Sequence, residues 1–370
     1  MKIGTVKELK NHEYRVGITP DNVLSYTKSG HQVFVESGAG EMASFSDDEY
    51  RLSGAAISST AAEVYSKCDM IVKVKEPLKE EYQYLHSVLI LFTYLHLAPN
   101  RPLTDVLLAS GVTAIAYETI EDRSGSLPCL RPMSEIAGRL SIQEGAKYLE
   151  RPFGGRGILL GGVPGVERGK VVIVGGGIAG TYAAKAAVGM GAQVVLLDIN
   201  LNRMLYLDDI FGASITTLYS SETNVAKNLA EADLVVGAVL IPGATTPRII
   251  RREHLKKMKQ GAVIVDIAID QGGCCETSRE TTHDDPVFIC DGIVHYCVGN
   301  MPGAVPRTST VALVNTTLPY GLMIADMGIE KACLSDDGLA KGVNIYKGKC
   351  VNKNVADSLG MQYTPPSALM

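Results

Sequence analysis

Two groups of residues have the types and spacing to do chemistry. In KVVIVGGGIAGTYAAKAAVGMGAQVVLLDIN, beginning at Lys170, the glycines Gly175, Gly177 and Gly180 form G-x-G-x-x-G. Such glycines permit a tight turn, close backbone approach to a pyrophosphate, and close helix–strand packing, in that order. The following segment is a good helix former whose N-terminus would face phosphates. A second apolar run then ends at Asp198, where an acid can bond a ribose diol. Its charge would repel a 2′-phosphate, favouring NAD over NADP. Arg203 nearby could accept such a phosphate, or it could be a solvated helix residue.

The second group is dispersed. His96 follows the apolar run LILFTYLHLA and is either a structural histidine or an acid–base group. Arg15, in KNHEYRVGITP, would offer a bidentate fork to a carboxylate, or would simply be solvated. In MIVKVKEPL, Lys73 and Lys75 interrupt a β-branched run and share one pleat face. They suit the solvated face of an edge strand, or one is held in a site. Lys75, nearer the C-terminal end, is the better placed for a ligand. Asp270, in AVIVDIAIDQGG, ends a run expected to continue as strand through Ile267 to Asp270, and lies where a nicotinamide would pass. Asp266 in the same run is expected to be structural.

These residues need elements to hold them. Short apolar runs alternate with segments of helical period, the signature of βαβ units and parallel sheets. Strands are expected near KIGTV, HQVFVE, MIVKV, VLILFT and TAIAYE. A second series covers KVVIVG, QVVLLD, SITTLY, LVVGAV, AVIVDIAI and IVHYCVG, with the fourth ending near Val239 and Leu240. A helix is expected from Met133 to about Leu149. After Pro302 the chain reads as helical around Ser309–Met323, carries no further strand series, and should return to pack on the first unit. The expectation is an α/β protein of two Rossmann-like, doubly wound domains with an interdomain cleft. Residues 1–130 and 305–370 would form a discontinuous substrate domain, and residues 131–304 the NAD-binding domain.

Composition narrows the function classes. The 370 residues carry a formal net charge of -5 and no long basic run, which argues against a nucleic-acid surface. The longest apolar run, Ser87–Ala98, is too short to span a bilayer, and the N-terminus lacks a signal-peptide pattern. A cytoplasmic chain is expected. The eight cysteines include no C-x-x-C pair, and no metal is signalled. The cysteines are expected to be reduced thiols packed as small hydrophobes, although Cys274 and Cys275 adjoin the candidate site and could be reactive.

Several segments carry a resemblance: KELKNHEYRVGITP, VKVKEP, FTYLHLA, AYETI, PMSEIAGRLS, GGRGILLGGVPGV, GAVLIPGA, VDIAIDQGG and NMPGAVPRTST. Together they resemble the L-alanine dehydrogenase family over nearly the whole chain. The resemblance implies reversible, NAD-dependent oxidative deamination of L-alanine to pyruvate and ammonium. Arg15 would bind the substrate carboxylate and Lys75 the substrate oxygen. His96 would be the acid–base residue, and Asp270 a second essential polar residue beside nicotinamide and amine. NAD would contact Ser134, Ile178, Ala179, Asp198, Arg203 and Ser220, then Val239, Leu240, Ile267, Ala268, Ile269 and Asp270. Arg279, Val298, Gly299, Asn300 and Met301 would complete that set. The resemblance also implies a homohexamer. Rival readings are the NAD(H)-binding component of a proton-translocating transhydrogenase, a saccharopine dehydrogenase, or a silent NAD-binding protein.

Overall fold

The structure, a computed structural model, describes residues 1–239 and 246–366. The chain divides into two compact units, Met1–Pro132 with Gly303–Met370, and Met133–Pro302.

The first unit begins with β1 (Lys2–Thr5), α1 (Pro20–Lys28), β2 (Gln32–Glu36), α2 (Asp47–Leu52), β3 (Ala56–Ser58) and α3 (Ala61–Lys67). It continues with β4 (Met70–Val72), β5 (Ile90–Thr93), α4 (Arg101–Ser110) and β6 (Thr113–Ala116). Local chemistry starts these helices. Thr19 and Asn22 form a reciprocal capping box ahead of Pro20, and Ser46 with Glu49 does the same for α2. The helix α5 (Arg131–Tyr148) leads into the second unit.

That unit contains β7 (Lys170–Val174), α6 (Ile178–Gly189), β8 (Gln193–Asp198), α7 (Leu201–Phe211) and β9 (Thr216–Tyr219). Then come α8 (Glu222–Glu231), β10 (Leu234–Gly237), α9 (Arg252–Leu255), β11 (Val263–Asp266), β12 (Val287–Cys290) and β13 (Ile293–Tyr296). The chain re-enters the first unit through α10 (Pro306–Met327), α11 (Ile329–Ser335), α12 (Asp337–Gly342), β14 (Val343–Tyr346), β15 (Lys349–Cys350) and α13 (Lys353–Leu359).

The first sheet has the order β15-β14-β6-β5-β4-β1-β2-β3, and the second β12-β13-β11-β10-β7-β8-β9. Strands β1 to β6 are parallel, as are β7 to β11 and β13. Each sheet therefore contains one doubly wound series, with strand order reversing at β1/β4 in the first and at β7/β10 in the second. Ligands bind outside the carboxyl ends of strands at such switch points. Both faces are covered, so the central strands are apolar throughout: Met70, Ile71 and Val72 are all buried, as are Val171 to Val174.

Several expectations need correction. β4 stops at Val72, so Lys73 and Lys75 lie beyond the strand, and β4 is interior rather than an edge. β11 stops at Asp266, and Ile267–Gln271 is a short 3-10 turn, not strand. Asp266 causes the change: its carboxylate accepts from the amides of Ala268 at 3.2 Å and Cys274 at 2.9 Å, drawing the chain around itself. The returning segment does add strands. β14 pairs antiparallel to β6 and β15 to β14, with a register shift between Val343 and Ile345. β3, α3 and the antiparallel β12 are likewise elements beyond those expected from the sequence.

Candidate active site

The loops after β1, β4, β5 and β6 carry the charged residues of the first unit. Gly17 explains how the first of them is seated. A Cβ there would overlap the Val72 carbonyl, so only glycine lets the segment after Arg15 lie on the end of β4. From α10, Thr310 accepts the Val16 amide at 3.2 Å. Arg15 is thereby buried at 2% exposure, and it needs a partner. Glu13 supplies one side-on, with Nε donating to Oε1 at 2.6 Å and a terminal nitrogen to Oε2 at 2.5 Å. Burial alone would push Glu13 up, but the Arg15 guanidinium outweighs it and holds the carboxyl at about 2.

Lys75 belongs to the same electrostatic group. Its ammonium is lowered by burial and by Arg15, against the pull of Glu13. Its carbonyl accepts from the Thr93 hydroxyl at 2.9 Å. Tyr94 links this group to His96. Burial raises the Tyr94 phenol, and Arg15 draws it back. Its hydroxyl donates to the Cys129 carbonyl at 2.6 Å, and its ring stacks on His96 at 5.9 Å and 11°. His96 itself is exposed and has a left-handed φ of 48°. Glu118 supports that conformation by accepting the His96 amide at 2.7 Å and the Leu95 amide at 3.2 Å.

Lys73 is a different matter. It has 0% exposure and lies 2.8 Å from Glu81 and 3.3 Å from Glu8, ion pairs by distance without hydrogen-bond angles. The solvated alternative for Lys73 is thus excluded. Glu8, Glu13, Tyr94 and Glu118 were not singled out from the sequence. Glu8 and Glu13 flank Arg15 in KELKNHEYR, but nothing in their spacing shows that both are buried.

In the second unit the glycine loop joins β7 to α6. A Cβ on Gly180 would overlap the Gly175 carbonyl, whereas one on Gly177 would meet nothing within 4 Å. Gly177, the N-cap of α6, has no side-chain hydrogen bond. By contrast Thr19, Ser46, Thr60 and Asn200 cap their helices through side-chain oxygens. The start of α6 therefore offers backbone donors beside open space, with Ile178 and Ala179 in its first turn.

Asp198 accepts the Gly176 amide at 2.6 Å and the Asn200 amide at 2.7 Å. Arg203 donates Nε to the Gly176 carbonyl at 2.6 Å and a terminal nitrogen to Thr181 Oγ1 at 2.6 Å. Neither reading of Arg203 from sequence anticipated that: the guanidinium fastens the glycine loop to α7. Ser220 donates its amide to the Asp198 carbonyl at 2.9 Å, placing it at the ends of β8 and β9. Val239 follows β10 next to Gly175, while Leu240 lies outside the described residues.

Ala268 and Ile269 are buried in the turn after β11, Ile267 is partly buried, and Asp270 is exposed. A Cβ on Gly299 would lie 3.1 Å from Asp270 Oδ1, so Asp270 adjoins the stretch after β13. There Val298 and Met301 are buried and Asn300 has φ 56°. Ser134 is partly buried on α5, and Arg279 lies over the Phe288 ring at 4.4 Å. Cys274 and Cys275 are both buried, and burial pushes both thiols up, Cys274 well above its ordinary value. That disfavours the reactive thiolate. Among the described residues no group of three or more His, Cys, Asp or Glu could hold a metal ion.

Two family models match the chain: "Alanine dehydrogenase/PNT, N-terminal domain" over residues 4–137 and "Alanine dehydrogenase/PNT, C-terminal domain" over residues 141–353. The chain belongs to the alanine dehydrogenase/PNT family. It is 55% identical to the alanine dehydrogenase of Methanococcus maripaludis, covering 99% of this chain and 98% of that one. A solved L-alanine dehydrogenase structure matches with a TM-score of 0.95 at 51% identity, covering 97% of this chain and 99% of that one. A transhydrogenase structure from Sinorhizobium meliloti matches with a TM-score of 0.83 at 23% identity, covering 95% of this chain and 99% of that one. The last likeness is one of fold alone. Every described candidate residue falls within the two family-matched ranges.

Proposed function

We propose that this chain is an NAD-dependent L-alanine dehydrogenase, interconverting L-alanine with pyruvate and ammonium. The observation that carries this reading is the buried Arg15–Glu13 pair beside Lys75 at the β1/β4 switch point. A binding module that merely handed on reducing equivalents would have no use for a carboxylate-binding cation there. The identity of 55% to an alanine dehydrogenase, against 23% to a transhydrogenase, supports the same choice.

The first unit would be the substrate domain. Arg15, aimed by Glu13, binds the substrate carboxylate and fixes the rotation of the reacting carbon. The Lys75 ammonium binds the keto oxygen of pyruvate and stabilises negative charge developing there in the aminating direction. Substrate negative charge counters the Arg15 repulsion that lowers Lys75. His96, seated on Tyr94, carries the proton of the water that adds to the imine during deamination. Asp270 is assigned to the amine side of the reacting carbon, where positive charge develops.

The second unit would be the NAD domain. The uncapped start of α6 and the space over Gly177 fit a pyrophosphate. Asp198 retains carboxylate lone pairs for ribose hydroxyls, and Arg203 is committed to the glycine loop rather than offered to a 2′-phosphate. Ser134, Ser220, Val239, Leu240, Ile267–Asp270, Arg279 and Val298–Met301 are proposed to line the remaining dinucleotide path. NAD held along this path would supply the acceptor for the hydride of the alanine Cα.

Among the described residues no helix is long and apolar enough to cross a membrane. We propose a cytoplasmic homohexamer, as in the family that the chain resembles, which sedimentation would check. The activity is tested by following NADH absorbance with L-alanine plus NAD, and with pyruvate, ammonium and NADH. Turnover is expected both ways, and its absence in both directions would overturn the reading.

A further inference from the structure

The ionic network beneath Lys75 has no part in the chemistry above. Glu8 lies three residues beyond β1, with its side chain 2% exposed. Its Oε1 accepts the Val74 amide at 2.6 Å and the Lys75 amide at 3.4 Å. Its Oε2 lies 3.3 Å from the Lys73 ammonium, which is 2.8 Å from Glu81. Glu81 in turn accepts from the Tyr65 hydroxyl and the Leu78 amide, each at 3.0 Å. Two buried carboxylates thus share one ammonium. With all three groups ionised the cluster is net negative and buried, so a proton on one carboxyl offsets that cost.

We propose that Glu8 is a positioning residue for the substrate site: its carboxylate fastens the Val74 and Lys75 backbone so that Lys75 points at the substrate oxygen, and protonating Glu8 loosens that hold. The proposal rests on the substrate role of Lys75 given above. Geometry makes Glu8 the member that matters, because it bonds the segment carrying Lys75 whereas Glu81 bonds only its own turn and Tyr65. A charged acceptor holds an amide more strongly than a neutral carboxyl does.

The groups facing Glu8 come from every neighbouring element. Lys73 beyond β4 pulls it down, while Glu13 on its own loop and Glu81 in the Lys79–Tyr84 turn push it up. Arg15 interacts with it from the β1 loop, Tyr65 from α3 and Tyr117 from the end of β6. Burial outweighs Lys73 and raises the carboxyl to about 7. The hold on Lys75 is therefore complete only on the alkaline side of neutrality.

The test compares Glu8→Gln with Glu81→Gln in the full chain. Glu8→Gln keeps an acceptor for Val74 but fixes it in an uncharged form. It is expected to raise KM for pyruvate about tenfold with KM for NADH within about twofold. The acid limb of kcat/KM for pyruvate should also lose the proton that Glu8 contributes. Glu81→Gln disturbs the same ammonium without touching the Val74 and Lys75 amides. It should lower the melting temperature yet keep the pyruvate KM and the wild-type acid limb. Amide hydrogen exchange, corrected for intrinsic pH dependence, gives a readout independent of turnover. Protection of the Val74 and Lys75 amides should fall in Glu8→Ala and persist in Glu81→Gln. Should Glu8→Gln not fold, E8Q/K73M, which neutralises the pair, replaces it with the same expectations. Equal behaviour of the Glu8 and Glu81 variants, or a wild-type pyruvate KM and acid limb in Glu8→Gln, would overturn the proposal. A wild-type protein inert towards alanine and pyruvate would instead defeat the functional reading, and the exchange comparison would still decide whether Glu8 holds the segment.

Discussion

Under the proposed function, two switch points with the same strand order carry opposite kinds of chemistry. At β7/β10 the proposed working groups are mainly backbone: an uncapped helix start and a glycine against open space, with one acid bonded to the loop. At β1/β4 they are side chains, with Arg15, Lys75, Glu13, Glu8 and Lys73 crowded beyond two strands. A dinucleotide brings its own charge and length, so the protein need only leave space and donors for it. A small keto acid offers one carboxylate and one oxygen, so the protein must gather opposing charges and hold them apart from water. The two lysines repeat the contrast on a smaller scale. Lys73 is locked between carboxylates, whereas Lys75 is lowered by burial and then by the charge of Arg15.

Substitutions can break this contrast. The largest effect is expected for Lys75→Ala, which should lower kcat/KM for pyruvate by roughly 10³-fold while circular dichroism stays native. Lys73→Ala should act on the fold instead, losing about 3–5 kcal/mol in urea unfolding because two buried carboxylates lose their cation. If both lysine variants lost activity with intact folds, the division of labour would be wrong.

Next in size is Arg15→Ala, expected to raise KM for pyruvate about 100-fold with little change for NADH. Equal rises for both substrates would contradict a carboxylate role. On the dinucleotide side, Asp198→Ala should weaken NAD binding about tenfold and narrow the preference over NADP, read by titrating both cofactors. An unchanged NAD-to-NADP ratio would remove Asp198 from the ribose role.

The smallest effects are in pH dependence of stability. Glu13 is depressed from its ordinary 4.5 to about 2, so its contribution is full above 4.5 and is lost as pH falls through about 2. Glu8 is raised from 4.5 to about 7, so its contribution is full below 4.5 and is lost as pH rises through about 7. Chemical denaturation from pH 4.5 to 7.5 should therefore show the wild type losing stability relative to Glu8→Gln. A parallel pair of curves would show that Glu8 does not titrate in that window.

Legibility followed the range of the interactions. The glycine loop, its flanking strands and Asp198 form one contiguous βαβ stretch whose spacing is itself the geometry. Lys75 and His96 are visible as candidates because each lies at the end of an apolar run, and Arg15 because it stands between the polar stretch KNHEY and VGITP. Their supporting groups are not, since Glu13, Glu8, Tyr94 and Glu118 act through burial and contacts that residue type alone does not express. The contacts of Arg203 are illegible for a similar reason: its donors reach Gly176 and Thr181, more than twenty residues away. The turn at Ile267–Gln271 was read as strand because IAI continues the apolar run, and only the Asp266 carboxylate ends it.

The sequence by itself determined the α/β pattern, the dinucleotide fingerprint and the family resemblance, because periodicity and motif spacing are local properties. Tertiary structure alone decided which lysine is locked and which faces Arg15. MIVKVKEPL places both ammonium groups on one face. Lys73 meets Glu81 in the turn that follows it and Glu8 in the β1 loop, which also carries Arg15 and is brought beside β4 by parallel pairing with β1.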